Sequence, residues 1–247
     1  MPIIAGARKV FHLAALPRVQ FSIEHPVETH EVNVNGTLNV LLAAKEAGVK
    51  RVVYSASSSA YGDQATLPLR EEMLPAPLSP YGLHKFIGEH YARVFSEVYG
   101  LETVSLRYFN VYGARLDPDG AYALVIGKFL KQRAEGGPMT ITGDGTQTRD
   151  FTHVRDVVRA NILASECDTV GHGEMMNIGA GRNASINELA ALIGGPVTYI
   201  PARLEPKNTL ADNTKARELL GWIPEVALAD GIAELKKEWG IGEEGSR

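Results

Sequence analysis

The chain has 247 residues, 45% of them hydrophobic, enough to bury a core for one large domain or a domain with a smaller lobe, and too apolar for a disordered chain. Lys and Arg number 25 against 29 Asp and Glu, a net charge of -4 with no block of five like charges, so nucleic acid is not an expected partner. The one cysteine, Cys167, excludes an internal disulfide framework and a thiolate metal cluster; it reads as a small buried hydrophobe in a reducing compartment.

The opening MPIIAGARKVFHLAAL has Arg8 and Lys9 but no long apolar run before them, a poor signal peptide. No run of 18 apolar residues follows, so no membrane span is expected and a cytoplasmic protein is the default. Lys9–Ala15 is apolar and of strand length, and from about Val27 to Ala47 the residues Val34, Leu38, Leu41 and Leu42 recur at helical spacing. Arg51–Ser57 reads as a second buried strand. Gly62, Pro68, Pro75 and Pro77 punctuate a loop before a helix running to about Tyr99, and Val104–Phe109 is a strand again. This alternation predicts a parallel sheet with helices on both faces.

After Asn110 the elements shorten. A helix is expected around Tyr122–Ala134, a strand pair near Met139–Thr142 and Phe151–Val154, then a helix to about Cys167 and a strand at Met175–Gly179. Ser185 and Glu188 form a capping box opening another helix. Two helical patterns between Asp212 and Trp239 are separated by Gly221 and Pro224. The second half reads as a smaller lobe packed on the first.

Tyr81 and Lys85 form Y-x-x-x-K at a helix start, with Ser79 as N-cap and Pro80 at the first helical position. The spacing puts phenol and ammonium on one face. A cation ~4 Å from a phenolate is worth up to ~4 kcal/mol at an effective dielectric of about 20, roughly three pKa units. That brings a tyrosine towards neutrality, where it serves as a general base. The bland alternative is a surface helix start with a snorkelling lysine. Upstream, the strand Arg51–Ser57 ends in the hydroxyls Ser55, Ser57, Ser58 and Ser59, at the edge where open parallel sheets bind ligands; its bland alternative is a serine-rich turn.

The combination SASSSAYG, SPYGLHK and LRYFNVYG, in this order, resembles the extended short-chain dehydrogenases, from FHLAAL (Phe11–Leu16) and NVNGTLNVL (Asn33–Leu41) through GDGTQTRDFTHVRDV (Gly143–Val157) to LADNTKARELLGW (Leu210–Trp222). Nearest among the NAD-dependent epimerases and dehydratases are the UDP-sugar 4-epimerases, especially the group acting on N-acetylated or uronic sugars, in which RYFNVYG is followed by a run like DPDGAYA. The resemblance implies an α/β fold: residues 1–110 as the remainder of a Rossmann-like NAD-binding domain, N-terminally truncated, and 111–247 mainly as a UDP-sugar-binding lobe with some chain returning to the first domain.

It further implies that Tyr81 takes the sugar 4-hydroxyl proton while hydride passes to the nicotinamide of NAD, that Ser57 shortens the proton's path, and that Lys85 binds the nicotinamide ribose. Leu13, Ala14, Ala15, Asn33, Ser55 and Tyr108 fall on other cofactor-binding positions, and Ser58, Asn110, Arg149, Arg203 and Thr209 on substrate-binding ones. Arg149 suits bidentate phosphate contact; its alternative is an ion pair with Asp150 or Asp156. The loop carrying Arg203 is one residue shorter than the family pattern, and the size of Thr209 leaves room for an acetamido group on the sugar. Related dehydratases and decarboxylases carry carboxylates where this chain has Ser58 and Ser59, which favours simple epimerisation. A homodimer through the helices 27–47 and 81–99 is also implied.

A dinucleotide fold needs a Gly-rich turn after its first strand, and none precedes Phe11. About two βα units of ~30 residues each are therefore expected to be missing relative to the family. This leaves open a shortened version of a complete epimerase, a UDP-sugar-binding remnant without catalysis, or a subunit completed by another chain. The G-x-G-x-x-A match at Gly179, Gly181 and Ala184 has no acidic residue at the required offset and reads as a strand-to-helix turn. His30 and Glu31 are not followed by H-E-x-x-H spacing, His84 and His90 are poorly spaced for a metal, and G-x-S-x-G is absent. His12 is expected to support a strand end.

Overall fold

The computed structural model describes residues 4–116, 125–202 and 207–242. Four strands form a wholly parallel sheet in the order β1-β2-β3-β8: β1 (Lys9–His12), β2 (Arg51–Ser57), β3 (Glu102–Tyr108) and, from the second half of the chain, β8 (His172–Ile178). Because the strands run one way, the chain leaving each of them emerges at the same edge: Leu13–Leu16, Ser58–Tyr61, Phe109–Asn110 and Gly179–Gly181. Open parallel sheets bind their ligands at that edge. Every residue of β2 is buried, as a strand covered on both faces requires.

Helices cover both faces. On one lie α1 (Val19–Glu24), α2 (Pro26–His30), α3 (Gly36–Glu46) and α4 (Pro80–Tyr99), and Leu41, Val52, Phe95 and Leu101 fill the layer between. On the other, α6 (Val154–Glu166) and α8 (Thr214–Leu220) pack onto Val53, Leu106, Met176 and the fully buried Trp222. The expected single helix near Val27–Ala47 is interrupted by a π turn at Glu31–Asn35. There the Asn33 carboxamide is drawn onto the backbone of Leu16, accepting from its N–H at 2.7 Å and donating to its carbonyl at 2.9 Å.

A second core, built from Phe129, Leu130, Ile141, Leu189, Ile193 and Leu235, lies among α5 (Val125–Ala134), β5 (Met139–Thr142), α7 (Ile186–Ile193), β10 (Val197–Ile200) and α9 (Leu228–Glu238). The expected pair of Met139–Thr142 with Phe151–Val154 does not form. β5 pairs in parallel with β10, whereas β7 (Thr152–His153) pairs with β4 (Val111–Tyr112). Val154 already begins α6, whose Arg155 N–H is capped by His153 Nδ1. Short apolar runs carry no record of which strand they pair with. β6 (Thr148–Asp150) and β9 (Asn183–Ser185) form a small antiparallel pair, and Ser185 with Glu188 makes the capping box that opens α7. No described helix is long and apolar enough to cross a membrane.

Candidate active site

Helix α4 starts where its sequence dictates. Ser79 accepts from the Gly82 N–H, Pro80 occupies the first turn, and Gly100 ends the helix in the left-handed conformation. Two glycines let it lie unusually close to the sheet: a Cβ on Gly82 would stand 2.6 Å from Ser59 O, and one on Gly88 2.2 Å from the Tyr54 hydroxyl oxygen. The Tyr81 N–H is further held by Ser22 Oγ of α1 at 3.0 Å. Tyr81 and Lys85, one turn apart, are thus buried against the C-terminal edge of the sheet at 4% and 5% exposure; they do not form the exposed helix start of the bland reading.

The Lys85 ammonium donates to Ser55 O at 2.8 Å and lies 5.2 Å from the centre of the Tyr54 ring. Burial brings its pKa down to about 8, with Glu89 pulling the other way. Of its three protons only one has an acceptor among the described residues. A buried cation with spare donors at the ligand-binding edge fits a hydroxyl-bearing group such as the ribose of NAD. Ser57, at the end of β2, accepts from the Ser59 N–H at 3.2 Å, which leaves its own O–H to donate. Ser58 follows in a 3-10 turn, Ser58–Ala60, packed under the first turn of α4.

Other expected cofactor residues are placed differently. Tyr108 donates to Asn161 Oδ1 at 2.9 Å, so the 3.1 Å contact between Ser55 Oγ and Tyr108 Oη is a hydrogen bond from the serine. Both side chains are engaged on the α6 side of the sheet, and Ser55 meets Lys85 through its carbonyl. Asn33 acts on Leu16 and so fixes the loop that carries Leu13, Ala14 and Ala15; Leu13 is 59% exposed. His12, at the end of β1, is held neutral, its pKa brought down to about 4 by burial and then by the Lys85 charge. Thr37 donates to Asn33 O at 2.7 Å, leaving its oxygen to accept from His12 Nε2 at 2.9 Å.

The second group of residues converges on Asp150. Its carboxylate accepts from the N–H groups of Ala180, Gly181 and Ala211 at 2.7, 3.0 and 3.0 Å. The glycine-containing turn at Gly179–Ala184 thus spends its amides on a protein carboxylate and serves as a strand-to-helix connection. Asn110, in the left-handed region at φ 27, donates to Asp150 O at 3.3 Å and reaches Thr209 Oγ1 at 3.5 Å, while the Asp150 N–H donates to Thr209 Oγ1 at 3.3 Å. Arg149 Nη1 donates to Thr148 O at 2.8 Å and Lys207 O at 3.1 Å. Asn110, Arg149 and Thr209 therefore share one rim beyond the end of β3. Arg203 lies outside the described residues.

Sequence reasoning missed the residues that build this site from behind. Gly82 and Gly88 carry no shared-face signal, since residues six apart lie on different sides of a helix, and their close approaches to Ser59 and Tyr54 are made only by the fold. Asp150 stood next to a more conspicuous arginine. Glu89, four residues beyond Lys85, continues the buried face of α4; Arg107 grips it through bonds of 2.8 Å from Nε and 2.6 Å from Nη2.

A parallel sheet with a buried Tyr-x-x-x-Lys helix at its C-terminal edge, and a second core beside that edge, defines an α/β protein of the Rossmann type. The chain belongs to the NAD dependent epimerase/dehydratase family, whose model matches residues 3–179. It is 39% identical over 230 residues to a putative UDP-glucose 4-epimerase of Methanocaldococcus jannaschii, covering 90% of this chain and 74% of that protein. The structure of UDP-N-acetylglucosamine 4-epimerase from Methanobrevibacter ruminantium in complex with UDP-N-acetylmuramic acid superposes with a TM-score of 0.91 at 35% identity, over 98% of this chain and 79% of that one. UDP-glucose 4-epimerase from Thermus thermophilus in complex with NAD gives 0.87 at 32% identity, over 96% and 78%.

Proposed function

We propose that the chain is a NAD-dependent nucleotide-sugar 4-epimerase acting on a UDP-sugar. The observation that carries this reading is the burial of Tyr81 and Lys85 on one face of α4, beside Ser57 at the sheet's ligand-binding edge. Relatives of similar sequence and fold are 4-epimerases, and one is a complex with NAD.

Tyr81 takes the proton of the sugar 4-hydroxyl, and the free O–H of Ser57 hydrogen-bonds the same oxygen. Lys85 holds the nicotinamide ribose with its spare donors and favours the charged form of Tyr81. When bound, NAD would supply a reversible hydride acceptor for the sugar carbon, with no net redox change. Asn110, Arg149 and Thr209, which share the rim, hold the diphosphate and sugar. Ser58 and Ser59 offer no carboxylate beside the reacting carbon, which favours epimerisation over elimination or decarboxylation.

On this reading residues 1–110 belong to the cofactor domain, and 111–247 mainly to the sugar lobe with β8 returning to the sheet. Exposed Val27, Val32, Leu42, Val94 and Val98 on the helices 27–47 and 81–99 support a homodimer through those helices. The single free cysteine suits the reducing cytoplasm.

The test is the NAD content of the purified chain together with interconversion of C4 epimers of UDP-glucose and UDP-N-acetylglucosamine. Tyr81→Phe is expected to lower kcat by ~10²–10⁴-fold while UDP-sugar binding persists. Absence of both NAD and turnover in the native chain overturns the proposal.

A further inference from the structure

Tyr81, Lys85 and Glu89 follow one another at four-residue intervals on α4, and all three are buried, at 4%, 5% and 6% exposure. Side chains four apart are neighbours on a helix, so Glu89 stands directly behind Lys85 as seen from Tyr81. Its two oxygens are bonded by Arg107, which is fully buried, stacks 4.4 Å over the Tyr61 ring and leaves Nη1 without a partner among the described residues. The titratable and charged groups around Lys85 and Glu89 are His12 of β1 and Tyr54 of β2 beside Lys85, Arg107 of β3 on Glu89, and Tyr81 and His90 of α4 itself. His12 is neutral. Burial pushes the Glu89 carboxyl pKa up, opposed first by the Arg107 hydrogen bonds and charge and then by His90 and Lys85, so it is Arg107 that lets Glu89 stand as an anion beside Lys85.

We propose that Glu89, anchored by Arg107, is a positioning residue that keeps Lys85 protonated, and through Lys85 maintains the charge that activates Tyr81. Burial alone pushes a lysine towards the neutral amine. A neutral Lys85 still donates hydrogen bonds but exerts no attraction on a phenolate, so Tyr81 reverts to an ordinary tyrosine. Glu89 opposes that loss without touching any ligand. Burial pushes the Glu89 carboxyl towards its neutral form, and the Arg107 hydrogen bonds and charge are what chiefly oppose that, so removing either Glu89 or Arg107 takes the anion away from Lys85.

This inference rests on the role of Lys85 proposed above, but its test needs no cofactor and no turnover, so the two fail separately. The chain is labelled with ¹³C-lysine, the Lys85 Cε resonance is assigned by its loss in Lys85→Met, and its titration midpoint is measured in variants shown to be folded by circular dichroism. The native midpoint is expected near 8. In Glu89→Gln it falls by about one pH unit or more, in Glu89→Asp it stays close to native, and in Arg107→Met, where Glu89 loses the bonds that hold it ionised, it falls as well. A folded Glu89→Gln with the native midpoint overturns the proposal, as does a Glu89→Asp midpoint as low as that of Glu89→Gln, which is what lost packing rather than lost charge produces. If Glu89→Gln does not fold, Arg107→Met decides alone: a downward shift supports the assignment, and an upward or absent shift overturns it.

Discussion

Gly88 lies against the ring of Tyr54 so closely that a Cβ on the glycine would stand 2.2 Å from the tyrosine oxygen, 2.4 Å from Cζ and 2.9 Å from Cε1. Tyr54 is 2% exposed in the middle of β2, so the ring has no room to retreat. This contact sets the distance between the helix bearing Tyr81 and Lys85 and the strand bearing Ser55 and Ser57.

Gly88→Ala separates two opposed effects. Alanine improves an exposed helix position by about 1 kcal/mol, whereas an added methyl in a packed core costs ~1–3 kcal/mol. With a rigid aromatic ring as the obstacle, the second effect wins. The variant is expected to lose about 1–2 kcal/mol in urea unfolding, with kcat reduced because Lys85 is displaced from Ser55 O. A variant as stable as the native chain refutes the close-packing argument.

How much of this was legible in the sequence depends on the range of the interaction. The strand Arg51–Ser57, the Ser79–Pro80 helix start, the Ser185–Glu188 box and the break at Gly221 are set by neighbours a few residues apart, and the structure has them where local chemistry puts them. The pairing of β5 with β10 joins residues nearly sixty positions apart, and nothing in the run MTIT names its partner. The site divides likewise. Tyr81 and Lys85 are readable from a four-residue spacing. The convergence of Asn110, Asp150, Gly181 and Thr209 is created by folding, and only the resemblance to a family singled out Asn110 and Thr209 beforehand. For Asn33 and Ser55 the side-chain contacts are to the protein itself, a distinction between holding a ligand and holding the loop around it that sequence does not draw.

Lys85 gives the folded chain a specific pH dependence. Its folded pKa of about 8 lies below the ordinary lysine value of 10.5, chiefly through burial. Below pH ~8 folded and unfolded chains both carry the proton, and the folded state bears the full cost of the buried charge. Between ~8 and ~10.5 the unfolded chain holds more protons, so stability rises with pH. Lys85→Met lacks this contribution. The native unfolding free energy minus that of the variant is therefore expected to climb by roughly 3 kcal/mol between pH 7 and 10.5, measured by denaturant titration across the series. A flat difference would falsify the assignment of a depressed Lys85.

Asp150 offers the sharpest separation of binding from chemistry. Oδ1 accepts one backbone N–H and Oδ2 accepts two; Asp150→Asn, nearly the same in shape, replaces one of those oxygens with a donor facing a donor. Each buried group left unmatched costs ~1–3 kcal/mol, so a loss of about 2–4 kcal/mol in unfolding free energy is expected. The damage is local to the rim, because Asn110 and Thr209 bond to the Asp150 backbone while Tyr81 and Lys85 are held separately, by Ser22 of α1 and Ser55 of β2. At a temperature where the variant remains folded, KM for the UDP-sugar is accordingly expected to rise by about tenfold or more, equivalent to ~1.4 kcal/mol of lost binding, with kcat changed much less. If kcat falls as steeply as KM rises, Asp150 holds the catalytic geometry as well as the rim.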